Sequence, residues 1–537
     1  MQQEWLRLHP NDNLLVALRD LPAERTIETT SGSLVLQESV SAKHKFTDRD
    51  VAVGDPLYLY GVLVGEALAT IPAGNAIHTG NVVHAAQSYV ARSGQRRWTP
   101  PAVNKWTDRT FAGFHRKDGS VGTANYWIVI PLVFCENRNV EVIREAMVEQ
   151  LGYGRKPAHQ LDMAGLVAAY QQGADAQAIL KYDLLEEAKA ADQDRVFPNV
   201  DGIKFLTHDG GCGGIRQDAE VLCELLAGYI ANPNVAGATV LSLGCQNAQI
   251  PLLKQALERR GEAGDKPVFY LEQQASKSER MFIAKAVKAT FTGLMQANLS
   301  TRAPAPLSAL TLGLECGGSD GFSGISANPV LGHVSDLLVA LKGKTVLAEF
   351  PELNGVEQEL IDRCTTPELA QKFAGLMQAY SAAAEAVGSG FKNNPSPGNI
   401  RDGLITDAMK SAGAAKKGGS SPVSDVLDYA EPVVTPGLNL LCTPGNDVES
   451  TTGLAGSGCN LIVFTTGLGT PTGNPIVPVV KMASNSTLAS RMVDLIDFDA
   501  GPVISGEQTI EERGEALLEL LIKVASGEHP TAAQRLG

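Results

Sequence analysis

The sequence lacks paired cysteines, long apolar runs and an apolar amino-terminal segment. Its eight cysteines are scattered without a Cys-x-x-Cys pair, which argues against a disulfide framework and against a zinc ribbon. No apolar run reaches about 18 residues, so we predict no membrane span. The first residues, Met-Gln-Gln-Glu-Trp, do not resemble a signal peptide. We therefore expect a cytoplasmic protein.

Basic residues are also fewer than acidic ones. The 537 residues carry 45 Lys and Arg against 59 Asp and Glu, which gives a net charge of −14. Because nucleic acids and anionic membranes attract basic surfaces, this balance argues against both as partners. A small anionic substrate stays compatible with it, since a metal ion or a few local lysines can hold such a molecule.

Glycine, by contrast, is abundant, with 54 residues that cluster in compact turns. The richest turn spans 313–329 and follows an apolar run, 309–314, that is typical of a buried strand. Glu315 and Cys316 lie at the end of this run, and Ser319 and Asp320 follow Gly317-Gly318. Strand ends with glycine-rich turns are where open α/β sheets place their sites, so we expect a site here.

The order of apolar runs and helical patterns predicts an α/β fold: a small amino-terminal β domain followed by two Rossmann-like α/β domains with parallel sheets. The predicted divisions are a β domain at 1–88, a linker at 89–110, an α/β domain at 111–305 and a second α/β domain at 306–537. Residues 153–196 are rich in Ala, Glu, Asp and Lys and are interpreted as a solvated helical insertion.

A second glycine-rich turn, 210–214, follows a predicted strand at 200–208 and precedes a predicted helix at 218–231. Strand, turn and helix in this order also occur in nucleotide-binding loops, but the turn lacks the G-x-G-x-x-G spacing. The sequence therefore argues against dinucleotide binding at this turn.

Polar or thiol side chains end several of the predicted strands, and parallel strands bring such ends to one edge. Carboxylates with thiol or imidazole groups suit Fe(II) or Mn(II), although a cysteine is often only a small buried hydrophobe. The residues at predicted strand ends are Cys135, His208, Cys212, Cys245, Glu315, Cys316, Glu349, Asp447, Thr465 and Thr466.

Several long motifs carry a resemblance that covers nearly the whole chain. The chain resembles the altronate/galactarate dehydratase family, whose amino-terminal module is a SAF domain, and its altronate members most of all. One departure is His208-Asp-Gly-Gly-Cys212, where the family usually has His-x-Tyr-Gly-Cys. The motifs are Asp118-Gly-Ser-Val-Gly122, 315–329, 394–399, Thr435-Pro-Gly-Leu-Asn-Leu, Pro444-Gly-Asn-Asp447, 464–471 and Asp497-Phe-Asp-Ala-Gly501.

The resemblance implies metal-dependent dehydration of a sugar acid, an altronate-like hexonate, to a 2-keto-3-deoxy acid and water. Such a reaction needs a base for the C2 proton and an acid for the C3 hydroxyl. The expected catalytic residues are His44, His9, Lys45 and His208. The expected metal ligands, for Fe(II) or Mn(II), are Glu315, Asp320, Glu349, Cys212 and Cys316. The expected substrate-binding residues are Asn13, Ser319, Asn328, Asn399, Thr465, Thr466 and Lys481.

Three alternatives stay open at the level of sequence. The substrate can be galactarate or another aldarate or aldonate. The enzyme can be an iron–sulfur hydro-lyase that uses Cys135, Cys212, Cys245 and Cys316, although their spacing is long for a cluster. The chain can also be a non-catalytic sugar-acid binding protein. A homo-oligomer is compatible with each of them.

Overall fold

The structure is a computed structural model. It describes residues 3–29, 32–91, 97–154, 159–187, 194–261 and 266–536. Within these residues no helix is both long enough and apolar enough to cross a membrane.

The amino-terminal part is built from short antiparallel strands, which form sheets in the orders β1-β2-β5, β3-β4 and β6-β7-β8. Alternating apolar residues such as Leu57 and Leu59 point inward and are fully buried, as half-buried strands require. The strands are β1 Trp5–Leu6, β2 Leu14–Ala17, β3 Thr26–Thr29, β4 Gly32–Val35, β5 Lys45–Thr47, β6 Pro56–Leu59, β7 Val62–Ala67 and β8 Val82–Val83.

The middle part contains a parallel four-stranded sheet in the order β14-β11-β15-β16, beside a small antiparallel sheet, β10-β9-β17. Its central strand β11 is buried along its whole length, as expected for a parallel strand covered on both faces. The elements are β9 Thr110–His115, β10 Val121–Gly122, β11 Tyr126–Pro131, α1 Asn137–Met147, β12 His159–Leu161, α2 Met163–Gln171, α3 Ala176–Leu180, β13 Leu185–Glu187, β14 Gly202–Phe205, α4 Arg216–Ala231, β15 Val235–Ser242, α5 Ile250–Glu258, β16 Val268–Glu272, α6 Glu279–Ala297 and β17 Ala303–Pro306.

The insertion is less helical than its composition predicts. Its described residues form the antiparallel pair β12–β13 and two short helices, α2 and α3. Asp162 caps the start of α2 by accepting a hydrogen bond from the Gly165 amide, and Gly173, with φ +90°, lies just beyond its end, where an L-residue is disfavoured. These local signals divide the segment into short pieces.

The carboxyl-terminal part holds a seven-stranded parallel sheet in the order β20-β21-β19-β18-β22-β23-β24. The fold class predicted from the sequence is thus confirmed, with β18 at the centre of the larger sheet. The elements are β18 Thr311–Cys316, α7 Ala327–Ala340, β19 Lys344–Leu347, α8 Glu357–Ile361, α9 Pro367–Ala386, α10 Pro397–Arg401, α11 Asp407–Ala414, β20 Val423–Leu427, β21 Gly437–Leu441, α12 Asp447–Gly456, β22 Leu461–Thr466, β23 Val479–Ala483, α13 Ser486–Arg491, β24 Phe498–Asp499, α14 Pro502–Ser505, α15 Ile510–Ala525 and α16 Ala532–Leu536.

The amino-terminal β domain shares a hydrophobic core with the carboxyl-terminal part. Leu57 and Val64 of the β domain belong to the same buried cluster as Phe322, Ile325 and Met409. Burial of apolar surface at about 25 cal/mol per Å² therefore holds this domain against the turn that follows β18. This packing brings candidate site residues of the amino-terminal β domain and of the carboxyl-terminal part to one junction.

Candidate functional site

Three acidic side chains and a thiol meet at the carboxyl end of the central strand. Glu315 and Cys316 end β18, and Glu349 and Glu352 follow the neighbouring strand β19. The three carboxylates and the thiol are all buried. The carboxyl edge of a parallel sheet is the usual location of a site, and burial makes every electrostatic interaction here stronger than in water.

Glu349 is held in an unusual backbone conformation. Its φ is +66°, in the left-handed region that non-glycine residues rarely adopt and that often marks functional positions. Its amide donates to Thr443 Oγ1 at 2.8 Å. Its Oε2 accepts from Lys417 Nζ at 2.6 Å and from the Cys316 amide at 3.0 Å. The strained residue is thereby fixed against β18.

The Cys316 thiol lies between a lysine and a second carboxylate. Lys417 Nζ donates to Cys316 Sγ at 2.7 Å, and Sγ donates to Glu352 Oε2 at 3.1 Å. The other oxygen of Glu352 pairs with Lys410 Nζ at 2.7 Å. Two buried ammonium groups thus stand beside the carboxylates, in a chain from Lys410 to Glu349 that we call the acid–lysine–thiol cluster.

The carboxyl groups of Glu315 and Glu349 both have raised pKa values. Burial, followed by the negative charge of Glu349, raises the pKa of Glu315 well above its ordinary value. Burial also raises the pKa of Glu349, against the effect of Lys417. Ser450 Oγ donates to Glu315 Oε2 at 2.7 Å. Two carboxyl groups that interact in a closed site cannot both ionise easily, so the site disfavours the doubly ionised state of this pair.

Glu352 behaves differently from the other two acids. Burial alone would raise its pKa, but Lys410 and Lys417 together lower the pKa of Glu352 below its ordinary value. For Cys316, burial and then the charges of Glu349 and Glu352 raise the pKa of the thiol well above its usual range. The cluster therefore combines carboxyl groups whose pKa values are shifted in opposite directions with a thiol whose pKa is raised.

The cluster does not fit the divalent ion that the resemblance implies. Cys316, Glu349 and Glu352 offer ligand atoms that all lie within 4.8 Å of one another, but a lysine ammonium is bonded to each of these three side chains. A divalent ion bound here would be repelled by the two ammonium groups. We route no step through a metal here.

Asp320, an expected metal ligand, is used by a separate network. Its Oδ1 accepts from Ser323 Oγ at 2.9 Å and from Ser484 Oγ at 2.8 Å. Its Oδ2 accepts from Asn485 Nδ2 at 3.2 Å and forms an ion pair with Lys43 Nζ at 3.1 Å. With its oxygens occupied in this way, Asp320 stabilises the turn after β18 and connects it to the amino-terminal domain.

The expected catalytic residues of the amino-terminal domain lie in a segment that reaches this turn. Lys43 pairs with Asp320 and with Asp402, and Lys45 Nζ donates to the Gly403 carbonyl at 2.6 Å. His44, between them, is half-buried, and its Nδ1 lies 3.3 Å from the Ala42 carbonyl. Burial lowers the pKa of His44 and brings the pKa of Lys45 to about 7. Both groups can therefore accept a proton at neutral pH.

The other two amino-terminal candidates serve the β domain itself. His9 Nδ1 accepts from the Asn11 amide at 3.2 Å. Asn13 Nδ2 donates to the Pro56 carbonyl at 2.9 Å, and its Oδ1 accepts from the Tyr58 amide at 2.8 Å. The described contacts of both residues thus lie within the domain.

The expected substrate-binding residues of the carboxyl-terminal part lie close to β18 but are occupied with holding loops. Asn399 Nδ2 donates to the Ser319 carbonyl at 2.7 Å. Thr465 Oγ1 donates to Asn328 Oδ1 at 2.7 Å. Both contacts are buried, and they fix the glycine-rich turn rather than present free polar groups.

Thr466 and Lys481 are also engaged within the protein. Thr466 Oγ1 accepts from the Gly469 amide at 2.9 Å. Lys481 Nζ donates to the Thr470 carbonyl at 3.1 Å, and burial lowers the pKa of Lys481 to about 8.

His208 and Cys212 belong to the other parallel sheet, in the loop after β14. His208 Nε2 lies 2.9 Å from the Pro131 carbonyl, and its Nδ1 accepts from the Gly210 amide at 3.1 Å. Burial lowers the pKa of His208. Both ring nitrogens of this neutral imidazole are occupied, which makes it a poor base. Cys212 is exposed.

Two lysines of the cluster escaped the sequence analysis. Lys410 and Lys417 lie in and just after α11, about 100 residues beyond β18. No strand end or glycine-rich turn marked them, and only the doublet Lys416-Lys417 before Gly418-Gly419 hints at a special position. Glu352 is near a predicted strand end, but nothing in the local sequence indicates that it pairs with a lysine.

Matches to known proteins agree with this architecture. Residues 3–85 match the altronate/galactarate dehydratase SAF domain, and 113–298 match the second domain of D-galactarate dehydratase/altronate hydrolase. Residues 307–537 match the carboxyl-terminal domain of D-galactarate/altronate dehydratase. The three matches follow one another along the chain and correspond to the three domains of these dehydratases. The chain belongs to the altronate/galactarate dehydratase family.

Similar curated proteins extend over nearly the whole chain. The altronate dehydratase of Escherichia coli K12 is 33% identical over 98% of this chain and 96% of its own length. The altronate dehydratase of Bacillus subtilis 168 is 33% identical over 98% of this chain and 96% of its own length. The galactarate dehydratase (L-threo-forming) of E. coli K12 is 29% identical over 99% of this chain and 95% of its own length.

Proposed function

We propose that this protein removes water from a hexonate of the altronate type and releases a 2-keto-3-deoxy sugar acid. Membership of a dehydratase family and the full-length similarity to two altronate dehydratases support the reaction and favour altronate over galactarate. The observation that carries the proposal is the buried arrangement of Glu315, Glu349 and Lys417 at the carboxyl edge of the central sheet.

The chemistry requires a base at C2 and an acid at the C3 hydroxyl. The proton leaves C2, the C3–oxygen bond breaks with transfer of a proton to the hydroxyl, and the resulting enol becomes the 2-keto acid. We assign the base to His44, because burial keeps its imidazole neutral and Lys43 anchors its segment to Asp320. The acid–lysine–thiol cluster supplies the proton reservoir for the departing hydroxyl.

A small-molecule sugar acid is the partner that this proposal requires, and a cytoplasmic location stays a prediction from the sequence. The test is a turnover assay of purified protein against a panel of hexonates and hexarates, with detection of the 2-keto-3-deoxy product. Fastest turnover of altronate supports the proposal. Preference for galactarate would reassign the substrate, and binding without any turnover across the panel would reduce the chain to a sugar-acid binding protein.

A further inference from the structure

Three cysteines differ from the rest in their exposure. Cysteine is among the most buried residue types, and Cys223, Cys316, Cys364 and Cys459 follow that rule, with Cys442 half-buried. The exposed thiols are those of Cys135, Cys212 and Cys245.

Each exposed thiol follows the end of one of three neighbouring strands. Cys212 comes after β14, Cys135 after β11 and Cys245 after β15, and these strands are adjacent in the sheet order β14-β11-β15-β16. Parallel pairing puts their carboxyl ends at one edge. The chain therefore presents three thiols on one edge of the smaller sheet, which we call the thiol edge.

The three loops are hydrogen-bonded to one another next to the cysteines. The Phe134 amide, one residue before Cys135, donates to the Gly210 carbonyl at 3.1 Å. The Asn247 amide, two residues after Cys245, donates to the carbonyl of Gly211, which directly precedes Cys212, at 3.0 Å. These bonds fix the relative positions of the three loops that carry the thiols.

The loop around Cys212 is shaped at a conformational cost. Gly211, Gly213 and Gly214 all have positive φ, and a Cβ at Gly211 would lie 2.0 Å from the Leu132 carbonyl oxygen. Only glycine allows this approach. Such a backbone holds the thiol outward, whereas a cysteine that merely fills a core needs no special loop.

The positions of the three thiols argue against one metal ion bound by all of them. Thiolates bind one metal ion at about 2.3 Å, so two of them on the same ion are at most about 4.6 Å apart. Among the residues that the structure describes, only the Cys316, Glu349 and Glu352 group has its ligand atoms all within 4.8 Å of one another; the thiol edge is wider. A polynuclear iron–sulfur cluster accepts more widely separated cysteines.

Further contacts suit a cluster. Gln274 Nε2 lies 3.3 Å from Cys245 Sγ as a donor, and hydrogen bonds to sulfur tune such centres. Phe134, next to Cys135, and Ile215, three residues after Cys212, expose large apolar side chains. Cys316 lies in the other sheet, inside the acid–lysine–thiol cluster, and is not available as a fourth ligand.

We propose that Cys135, Cys212 and Cys245 bind an iron–sulfur cluster. A cluster of four irons held by three thiolates leaves one iron without a protein thiolate, and that iron can take an oxygen ligand such as a hydroxyl or carboxylate of a sugar acid. The binding of the cluster does not rest on the proposed dehydration.

The test is metal and sulfide analysis of the full chain, purified without oxygen and reconstituted with iron and sulfide. We expect about four irons and four acid-labile sulfides per chain. We also expect the broad visible absorbance that is typical of such clusters. Cys135→Ser, Cys212→Ser and Cys245→Ser should each lower bound sulfide at least several-fold. Cys442→Ser, a half-buried cysteine of the other sheet, is the matched control and should bind as the unmodified protein does.

Two outcomes overturn the proposal: iron bound without sulfide, or sulfide retained in all three serine variants. Protection of the three thiols from alkylation after reconstitution gives a second measurement on the unmodified chain, so a variant that fails to fold does not decide the matter. Since neither readout involves substrate, failure of the dehydration proposal and failure of the cluster proposal are distinguished.

Discussion

Glu349 Oε2 accepts hydrogen bonds from Lys417 Nζ at 2.6 Å and from the Cys316 amide at 3.0 Å. The hydrogen bond from the Cys316 amide joins the ends of the parallel strands β18 and β19, and Lys417 forms a buried charge pair with the same carboxylate. Removal of one partner of such a pair leaves an uncompensated buried charge, which is a larger effect than the net value of the pair itself.

We therefore expect Lys417→Met to lower the free energy of unfolding by about 3–5 kcal/mol. The double variant Lys417→Met/Glu349→Gln should recover part of that loss, because the unpaired carboxylate is gone. Lys372→Met is the control: its pair with Glu431 is well exposed on both sides, and such pairs contribute about 0–1 kcal/mol. Denaturant titration measures all three, and equal losses at Lys417 and Lys372 would contradict the role assigned to the buried pair.

Glu315→Gln should abolish turnover while leaving the fold intact. The amide matches the shape of the carboxyl group and can still accept from Ser450, but it cannot release a proton. We expect turnover to fall by about 10²-fold or more, the usual effect of losing an acid or base. Glu357→Gln, at a buried acid on α8 outside the cluster, is the matched control. Comparable activity of the two variants at equal melting temperature would remove Glu315 from the mechanism.

Sequence reasoning located the acids of the site and missed the lysines that pair with them. Glu315, Cys316 and Glu349 follow apolar runs, so their position at strand ends could be predicted from local pattern alone. Lys410 and Lys417 reach the same point through the packing of α11, a long-range relationship that no local pattern encodes. The grouping of Cys316 with the other strand-end thiols failed for a related reason, because apolar runs do not say which strands share a sheet.

Asp407 should make stability fall as the pH rises. Burial, chiefly, raises the pKa of Asp407 to about 8, so the folded chain keeps a proton that the unfolded chain has released above its ordinary value of 3.8. This contribution is complete below about pH 4 and is lost as the pH rises to about 8.

In Asp407→Asn this pH-dependent loss of stability should be absent. The free energy of unfolding of the variant, relative to that of the unmodified protein, should therefore rise by up to about 1 kcal/mol per pH unit between pH 5 and pH 8. Denaturant titrations across this range measure the difference. Glu385→Gln, at an exposed position on α9, is the control and should leave the slope unchanged. A parallel pair of curves for Asp407→Asn and the unmodified chain would mean that the carboxyl group is ionised in the folded state.

His44→Ala should lower turnover by about 10²-fold with little change in melting temperature. The imidazole is half-buried, and its one described hydrogen bond is to the nearby Ala42 carbonyl, so the fold hardly depends on it. His78→Ala, at an exposed histidine of the same domain, is the matched control. Full activity of His44→Ala would leave the base to another group, with Lys45 the next candidate because its pKa is about 7.

The insertion should be dispensable for chemistry and required for assembly. Its ends are adjacent, since the Val196 amide donates to the Leu151 carbonyl at 3.1 Å and Tyr153 Oη donates to the Phe197 carbonyl at 2.9 Å. A short linker can therefore replace the residues between Tyr153 and Val196. Its helix α2 buries no side chain, while Tyr170 is 72% exposed and Leu180 is 86% exposed. Apolar groups gathered in this way on a surface mark a contact with another protein, and a second copy of this chain is the partner we expect.

Replacement of the insertion should leave turnover per chain within about twofold and reduce the particle mass measured by light scattering. The double variant Tyr170→Ser/Leu180→Ser should shift the mass in the same direction without any deletion. Val387→Ser/Val493→Ser removes two equally exposed apolar side chains elsewhere and serves as the control that keeps the mass unchanged. If the chain without the insertion keeps its particle mass, the exposed apolar residues do not mediate assembly. If that chain loses turnover while it keeps the native mass, the insertion contributes to the site, because assembly is then intact and the chemistry is not.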